Sequence, residues 1–265
     1  MEIYLDDTVK TGISVSHDSR YKNDVTYPHY HNTYELYYLT RGSARYFIND
    51  TTFEISAGDV VLIPPKTIHK TTYLETDAER LLVVFDKDFL SIKDDDPIYD
   101  CFKKQYHYKN VMLREIFTTM EHAYAKNNEK QNRLIQYALL YILMKLSVGH
   151  FEKESIDTIP NSERPFLAAV EYINNNFSEN LTLEEIAEKF HVSKSHFSRK
   201  FKEITGIGFN EYILLVRIKH SELLLMETNL SVTEISGKCG FNSSCYFTSV
   251  FKKYKGMTPF KFRKK

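Results

Sequence analysis

Two segments in the last third of this chain repeat one another, and each predicts a helix, a turn and a second helix. The first copy begins at Thr182 with Glu185 three residues later, and the second begins at Ser231 with Glu234, so both carry a capping box. Behind the first cap, apolar residues recur at i, i+3, i+4 and i+7, the spacing of a helix buried on one face, and the second copy repeats the pattern with Ser236 at i+4. The offset between the copies is 49 residues in the first helices and 50 beyond the turns, which places one additional residue in the second turn. The last third must therefore fold as two similar helical units.

The second helix of each copy combines an aromatic face with a polar stripe. Ser193 and Asn242 are the predicted N-caps of these helices. The aromatic face holds Phe197 and Phe201 in the first copy, and Phe247 and Phe251 in the second. The opposite stripe holds Ser195, Ser198, Arg199 and Lys202 in the first copy, and Cys245, Thr248, Ser249 and Lys252 in the second. Hydroxyl and guanidinium groups read base edges in the major groove and lysines bind phosphates, so the pattern predicts a DNA reader built twice.

The charge of the chain is divided between its two parts. The whole chain is neutral, with 35 Lys and Arg residues against 35 Asp and Glu. Residues 189–265 hold 15 basic residues against 5 acidic ones, and the preceding part holds 20 against 30. A lysine-rich face on one helix is most often only a solvated surface. Because the basic region here coincides with the two repeated copies, we expect it to bind a polyanion.

Residues 209–226, between the two copies, predict one long helix. These 18 residues at about 1.5 Å each give a rod of roughly 27 Å. Successive major grooves on one face of DNA lie about 34 Å apart. A rigid spacer of this order lets one chain address two adjacent grooves.

The second copy also carries residues at characteristic positions. They are Gly240-Phe241-Asn242, Tyr246-Phe247, Phe251-Lys252-Lys253, Gly256, Pro259 and Arg263. These residues resemble the signature of the AraC/XylS family of bacterial transcription regulators, and the resemblance spans residues 164–263. It implies a DNA-binding domain of seven helices in which a long helix joins two helix-turn-helix motifs. Position 249 is Ser where many members carry Arg, which indicates weaker direct base reading by the second motif.

The polar stripes and the resemblance together predict which side chains meet double-stranded DNA. In the first motif they are Lys194, Ser195, His196, Ser198, Arg199 and Lys202. In the second motif they are Ser243, Ser244, Cys245, Thr248, Ser249 and Lys252. RNA polymerase is a further partner that such a regulator is expected to contact.

The rest of the chain predicts a separate domain rich in β-strands. Short β-rich runs separated by turns occur at 34–40, 45–49, 60–63, 70–74 and 81–85. This spacing favours a small antiparallel β-barrel, followed by helices over 111–126 and 133–148. The second of these helices is apolar almost all round, which predicts a dimer interface or an interdomain contact. We therefore predict two domains: a cupin-like effector-binding and dimerisation domain over 1–155, a linker over 156–164, and an all-α domain over 165–265.

Two short motifs in the strand-rich part resemble those of cupins. The first is His29-x-His31-xxx-Glu35 followed by Gly42, and the second is Gly58-xxxxx-Pro64 followed by His69. The resemblance implies that His29, His31, Glu35 and His69 project into the barrel, and with Tyr37 they form the predicted effector site. Imidazole and carboxylate groups also suit Fe, Mn, Ni or Zn, so a metal held by the three histidines and Glu35 is the alternative. We predict an organic effector without a cofactor, and Lys66 in place of the second motif's glycine argues against an enzyme.

Tyrosines are frequent in the same part, at positions 27, 30, 34, 37, 38, 46 and 73. Their rings stack on sugars and their hydroxyls bond sugar hydroxyls, so a sugar is the predicted effector. Tyrosine is also simply favoured in strands. The alternation of residues alone does not fix which of these rings face inward.

Three functions are compatible with the sequence. They are a ligand-responsive transcription regulator, a cupin metalloenzyme tethered to DNA, and a regulator whose barrel only dimerises. We predict the first, a non-enzymatic homodimer that binds DNA and a sugar. The three cysteines lack metal-site spacing, and no signal peptide or transmembrane run is present, so a cytoplasmic protein without a membrane partner is expected.

Overall fold

The computed structural model describes residues 12–19, 27–93, 95–104, 106–109, 111, 113–126, 128–148 and 160–264. Residues 156–159 of the predicted linker lie outside the described residues. The strands are β1 (Ile13–Ser19), β2 (Tyr34–Arg41), β3 (Ser43–Ile48), β4 (Thr51–Ser56), β5 (Val60–Ile63), β6 (His69–Tyr73), β7 (Glu79–Phe85) and β8 (His107–Tyr108). The helices are α1 (Cys101–Lys104), α2 (Arg114–Lys126), α3 (Glu129–Val148), α4 (Arg164–Asn176), α5 (Leu183–Lys189), α6 (Lys194–Thr205), α7 (Phe209–Glu227), α8 (Val232–Lys238), α9 (Ser244–Lys255) and α10 (Pro259–Arg263).

The N-terminal strands form two facing antiparallel sheets, which we call the sandwich. The first sheet has the order β1-β7-β2-β5-β8, and the second has the order β4-β3-β6. The predicted strand-rich domain is thus confirmed, although the described strands pair as two sheets and not as one closed cylinder. A buried cluster between the sheets joins Tyr37 and Leu39 of β2 to Tyr46 and Ile48 of β3.

The alternation of side chains along β2 separates the two faces of the first sheet. Tyr37 and Leu39 point into the sandwich, whereas Leu36 and Tyr38 pack against the helices outside it. The Tyr38 ring stacks on Phe117 of α2 with 4.6 Å between ring centroids. The structure therefore assigns the tyrosines that the sequence left open. Tyr37, Tyr46 and Tyr73 line the interior, Tyr34 and Tyr38 face the helices, Tyr30 packs with the C-terminal domain, and Tyr27 is exposed.

Helices α2 and α3 cover the outer face of the first sheet. Residues Ile135, Leu139, Ile142, Leu143 and Leu146 of α3 are buried in this layer. The other side of α3 carries exposed apolar residues, which we call the α3 stripe: Leu134, Tyr137, Tyr141, Met144 and Val148. The stripe residues follow one another at steps of three and four. Among the described helices, none is long and apolar enough to cross a membrane.

Within residues 160–264, the C-terminal domain consists of the seven helices α4 to α10, as the family resemblance implies. Both predicted capping boxes are present, at Thr182 with Glu185 and at Ser231 with Glu234. The predicted N-cap Asn242 is wrong by one residue, because Ser243 occupies that position and accepts a hydrogen bond from the Tyr246 amide. Ser193 is the N-cap of α6 as predicted, but its side chain makes no capping hydrogen bond.

The outer face of the second sheet lies against the C-terminal domain. Phe47 of β3 and Ile68 share one buried cluster with the helices of that domain, and the Phe47 ring meets Tyr212 of α7 edge-on at 6.3 Å. A polar contact lies at the edge of this cluster. The carboxylate of Glu163, at the N-terminus of α4, lies 3.8 Å from Arg45 of β3 and 3.5 Å from Lys200 of α6. The sandwich thus has helices on one side and the predicted DNA reader on the other.

Candidate DNA interface and effector site

Helix α6 presents the predicted polar stripe of the first motif to solvent. Phe197 and Phe201 are fully buried under it. The predicted DNA-binding residues on α6 are all exposed: Lys194, Ser195, His196, Ser198, Arg199 and Lys202. Lys194 pairs with Glu184 of the preceding helix. A helix with a buried aromatic face and an outward row of hydroxyl and basic groups fits the major groove.

Helix α9 presents a less basic stripe. Its predicted residues lie at the surface, with Ser243, Cys245, Ser249 and Lys252 exposed and with Ser244 and Thr248 half-buried. Tyr246 is not among the DNA-facing residues predicted from the sequence, although it is 52% exposed on the same stripe. It corresponds to His196 of the first motif at the offset of 50 residues, so the repeat itself identifies it as a stripe residue. The ring of Tyr246 meets Phe241 edge-on at 6.2 Å.

Arg217 of α7 connects the turn after α4 to the second motif. Its guanidinium donates to the carbonyl oxygens of Phe177 and Glu179, both at 2.7 Å. The same group lies over the ring of Phe241, 5.8 Å from its centroid. These contacts fix the turn after α4 and the turn of the second motif to the long helix. Helix α7 has 19 residues, or about 28 Å at 1.5 Å each, so the predicted rigid spacer is present.

The predicted effector residues come together inside the sandwich. The imidazoles of His29 and His69 lie 4.3 Å apart between centroids, and those of His31 and His69 lie 5.0 Å apart. Nε2 of His31 is 3.0 Å from Oε2 of Glu35, and Nε2 of His69 is 3.7 Å from the same oxygen. We call these four residues the His/Glu cluster. Tyr37 follows Glu35 by two positions on β2 and lies on the same inward face.

Backbone carbonyls set the orientation of two imidazoles in the His/Glu cluster. Nδ1 of His31 is 2.8 Å from the Thr33 oxygen, and Nδ1 of His69 is 2.8 Å from the Thr67 oxygen. A carbonyl only accepts, so each Nδ1 carries a hydrogen and each Nε2 is directed towards Glu35. A hydrogen on Nε2 of His31 would be donated to Glu35 across 3.0 Å, and a cation between the two nitrogens and the carboxylate would bind all three.

Burial and neighbouring charge determine the protonation of the cluster. Burial raises the pKa of the Glu35 carboxyl, but the contacts with His31 and His69 outweigh it and hold the pKa well below its usual value. Burial, reinforced by the nearby His69, lowers the pKa of His29 to about 3. At neutral pH the cluster therefore offers an ionised carboxylate beside a neutral imidazole.

The donor set fits a divalent transition metal as well as an organic molecule. Nε2 of His69 is buried and has no hydrogen-bond partner among the described residues. Ligand atoms of His31, Glu35 and His69 lie within 4.8 Å of one another. Lys66, which replaces the glycine of the second cupin motif, keeps a glycine-like backbone with φ of 61°. Its amide donates to the His31 carbonyl, so the loop geometry is retained without the glycine.

Aromatic rings extend the site along the interior of the sandwich. The rings of Tyr37 and Tyr46 meet edge to face at 5.2 Å. The hydroxyl of Tyr37 donates to that of Tyr73 at 3.4 Å. The guanidinium of Arg80 lies over the Tyr37 ring at 5.6 Å. The interior thus combines ring faces with hydroxyl, carboxylate and cationic groups.

Known proteins resemble this chain over both of its parts. Residues 12–144, half of the chain, match the AraC-like ligand binding domain, and residues 186–265 match a helix-turn-helix domain. The Msm operon regulatory protein of Streptococcus mutans is 28% identical over 261 residues, covering 95% of this chain and 92% of that protein. The HTH-type transcriptional activator RhaR of Enterobacter sp. (strain 638) is 26% identical over 262 residues, with the same coverage of 95% and 92%. The solved C-terminal domain of AraT, a response regulator from Geobacillus stearothermophilus, is 33% identical and covers 40% of this chain and 88% of that chain, with a TM-score of 0.38. The chain therefore belongs to the AraC family of transcription regulators, with an N-terminal ligand-binding domain and a C-terminal helix-turn-helix domain that binds DNA.

Proposed function

We propose that this regulator binds a small polar organic molecule, a sugar, in the His/Glu cluster and that occupancy of this site changes its binding to DNA. The observation that carries the proposal is the convergence of the His31 and His69 imidazoles on one buried, ionised carboxylate, with the His29 ring beside His69. The cluster lies in a domain that is packed directly against a DNA-binding domain. Such buried polar groups keep their cost of desolvation unless a partner satisfies them.

The chemistry of the interior favours a polyhydroxylated ligand. The ionised Glu35 accepts hydrogen bonds from hydroxyl groups, and the imidazole nitrogens accept or donate. The rings of Tyr37, Tyr46 and Tyr73 offer apolar faces for the carbon skeleton of a sugar. Orientation of a small ligand by a few polar groups within an aromatic lining is the usual arrangement of a binding pocket.

A thermal-shift screen of monosaccharides and disaccharides on the full chain tests this proposal. A bound sugar raises the unfolding temperature because it stabilises the folded state in proportion to RT ln(1 + [L]/Kd). Glu35→Gln removes the charge with little change in shape, and it should abolish the shift. Fluorescence anisotropy with DNA selected from random duplexes then measures whether the same sugar changes the DNA affinity. A sugar response that survives Glu35→Gln would contradict the site, and the absence of any effect on DNA would contradict the function.

A divalent transition metal is the second candidate occupant, favoured by the buried Nε2 of His69. His31, Glu35 and His69 would hold it, and the Nδ1 contacts with backbone carbonyls would orient the rings as outer-shell partners of metal sites do. Such an ion supplies positive charge that binds an oxygen of the effector. Metal analysis of protein purified without an affinity tag distinguishes the candidates. Near-stoichiometric metal together with an EDTA-sensitive sugar response would support the ion, and a response unchanged by EDTA would exclude it.

We also propose that the α3 stripe joins two copies of the chain. Its five exposed apolar residues lie at alternating steps of three and four, which is the spacing of the contact seam between two paired helices. The stripe lies on the side of the helical layer that does not contact the sandwich. The pairing of two identical stripes buries both at once.

A further inference from the structure

Glu222, a residue of α7, joins three separate parts of the molecule through one buried carboxylate. The residue is 0% exposed. Its Oε2 accepts a hydrogen bond from the Tyr30 hydroxyl at 3.1 Å and lies 3.0 Å from Nζ of Lys255. Its Oε1 accepts from the Asn32 side-chain amide at 3.0 Å. Tyr30 and Asn32 belong to the N-terminal domain, and Lys255 is the last residue of α9, so Glu222 ties the second recognition helix to the sandwich.

The segment that meets Glu222 is also part of the His/Glu cluster. Along residues 29–32, His29 and His31 point into the cluster, and Tyr30 and Asn32 between and beyond them bond Glu222. Only the backbone of this short segment separates the two sets of contacts. A displacement of His31 by a ligand therefore moves the two groups that hold Glu222.

The contacts of Glu222 with Tyr30, Asn32 and Lys255 are expected to be either all formed or all broken. The side chains of Lys255 and Glu222 are 2% and 1% exposed, and the Lys255 ammonium lies 5.5 Å from the ring centroids of both Tyr30 and Phe262. Removing one partner of a buried charge pair leaves the other uncompensated, which is strongly unfavourable. Partial loosening is therefore disfavoured, and an open form must rearrange the whole set of contacts.

The charges of the two domains indicate which form binds DNA more tightly. Residues 165–265 hold 15 basic residues against 10 acidic ones, whereas residues 1–155 hold 19 against 23. The slightly acidic N-terminal domain held against the basic C-terminal domain weakens the positive field that attracts DNA. Its release strengthens that field and frees α9 to adjust to the groove.

We propose that Glu222, with Tyr30, Asn32 and Lys255, forms a latch that restrains the second recognition helix and that a ligand in the His/Glu cluster opens it. This regulation rests on the proposed function, because it takes the His/Glu cluster as the effector site. Glu222 acts as a positioning residue, since it holds α9 and is not part of the DNA-facing stripe.

Hydrogen-deuterium exchange of the full chain without DNA tests the latch directly. Asn32→Asp places a second carboxylate beside Glu222 and should open the latch. We expect the amides of α9 to exchange about tenfold faster or more, the factor that one hydrogen bond to a charged group is worth. Helix α6, which is tied to the sandwich through Glu163 instead, should keep its exchange rate. Thr76→Asp adds the same charge at an exposed loop of the sandwich and is the matched control. Unchanged α9 exchange in a folded Asn32→Asp protein would overturn the proposal.

A double-mutant cycle tests the route from the cluster to α9. His31→Ala should speed α9 exchange in the wild-type background and add nothing in the Glu222→Gln background, because the route is already broken. If Glu222→Gln does not fold, Tyr30→Phe takes its place in the cycle, because it removes one hydrogen bond to Glu222 and retains the ring. Additive effects of the two changes would show that the cluster reaches α9 by another path and would contradict the latch.

DNA affinity supplies a separate readout. Asn32→Asp should bind selected DNA several-fold more tightly than wild type and Thr76→Asp, and equal or weaker binding would contradict restraint by the latch. The two proposals fail in different ways. A wild-type protein that binds DNA but responds to no sugar contradicts the proposed effector. The exchange of α9 is measured without DNA or effector, so it tests the latch whether or not a sugar binds.

Discussion

The carbonyl oxygen of Ser178 lies 2.6 Å from the point that a Cβ on Gly240 would occupy. Ser178 belongs to the turn after α4, and Gly240 to the turn of the second helix-turn-helix motif. The corresponding turn of the first motif has His191 at the same position, and both residues have a positive φ, 56° and 76°. A side chain is thus tolerated at this backbone conformation. The close approach to Ser178 is what requires glycine in the second motif.

Gly240→Ala is therefore expected to lower the free energy of unfolding by at least about 2 kcal/mol, because the methyl group meets backbone atoms that cannot move away. Urea unfolding of the full chain, followed by circular dichroism, measures the change. Gly237→Ala is the matched control, since nothing lies within 4 Å of its Cβ position in α8, and it should be neutral or stabilising. Equal stabilities for the two variants would contradict the packing argument.

Arg199→Ala should relax the preference at one base pair and cost about 1–3 kcal/mol of binding, because a guanidinium that reads a base edge is not replaced by water. Lys202→Ala should weaken binding to all sequences alike and lower the salt dependence by about one phosphate contact. Anisotropy titrations on selected DNA and its single-base variants separate the two. Uniform losses for both residues would mean that Arg199 touches phosphate only.

Tyr141→Glu should convert a dimer of the full chain into a monomer without unfolding it. Tyr141 is 55% exposed in the α3 stripe, so a charge there opposes pairing and leaves the core intact. Leu139 on the same helix is fully buried, and a charge at that position would test folding instead. Sedimentation velocity at micromolar concentration gives the assembly state, with His122→Glu on the surface of α2 as the control. A monomeric wild type, or a dimeric Tyr141→Glu protein, would rule out the stripe as the interface.

Acidification should destabilise the protein through His220. Burial, together with the nearby Lys219 ammonium, lowers the pKa of His220 to about 4, and its ring stacks on Phe177 at 3.9 Å. The unfolded chain takes up this proton near pH 6.5 but the folded chain only near pH 4. The neutral His220 therefore contributes its full stabilisation above about pH 6.5. As the pH falls towards 4 this contribution is lost, and the free energy of unfolding decreases by at most about 1.4 kcal/mol per pH unit. His220→Phe keeps the stacked ring, so it should reduce the pH dependence of urea unfolding, and an unchanged dependence would contradict this assignment.

The helical domain was the more predictable half because its signals are local. Capping boxes and the spacing of apolar residues depend on neighbours within one turn, and they located α5 and α8 correctly. The shift from Asn242 to Ser243 arose because two adjacent residues are equally good caps. In the sandwich, β1, β4 and β8 were not identified. The two-residue β8 exists only through its pairing with β5, which no local pattern records.

The candidate site was predictable in its members but not in its surroundings. The cupin-like spacing brought His29, His31, Glu35 and His69 together correctly. The contact between Tyr30 and Glu222 joins residues 192 positions apart and depends on how the two domains pack. A tyrosine in a tyrosine-rich strand region gives no sign that its hydroxyl faces another domain.

The two faces of the sandwich are covered by different layers, and this arrangement determines how far apart a dimer would hold its two DNA-binding domains. Helices α2 and α3 lie on one face and the DNA-binding domain lies on the other. A dimer paired through the α3 stripe would carry its two DNA-binding domains at opposite ends, with both sandwiches and both helical layers between them. Layers of packed helices and sheets lie roughly 10 Å apart, and seven such spacings put the two readers roughly 70 Å from one another, more than one helical turn of DNA. The promoter of a gene under its control would then hold two separate recognition sequences with spare base pairs between them, and changing that spacing by half a turn would place one reader on the wrong side of the duplex.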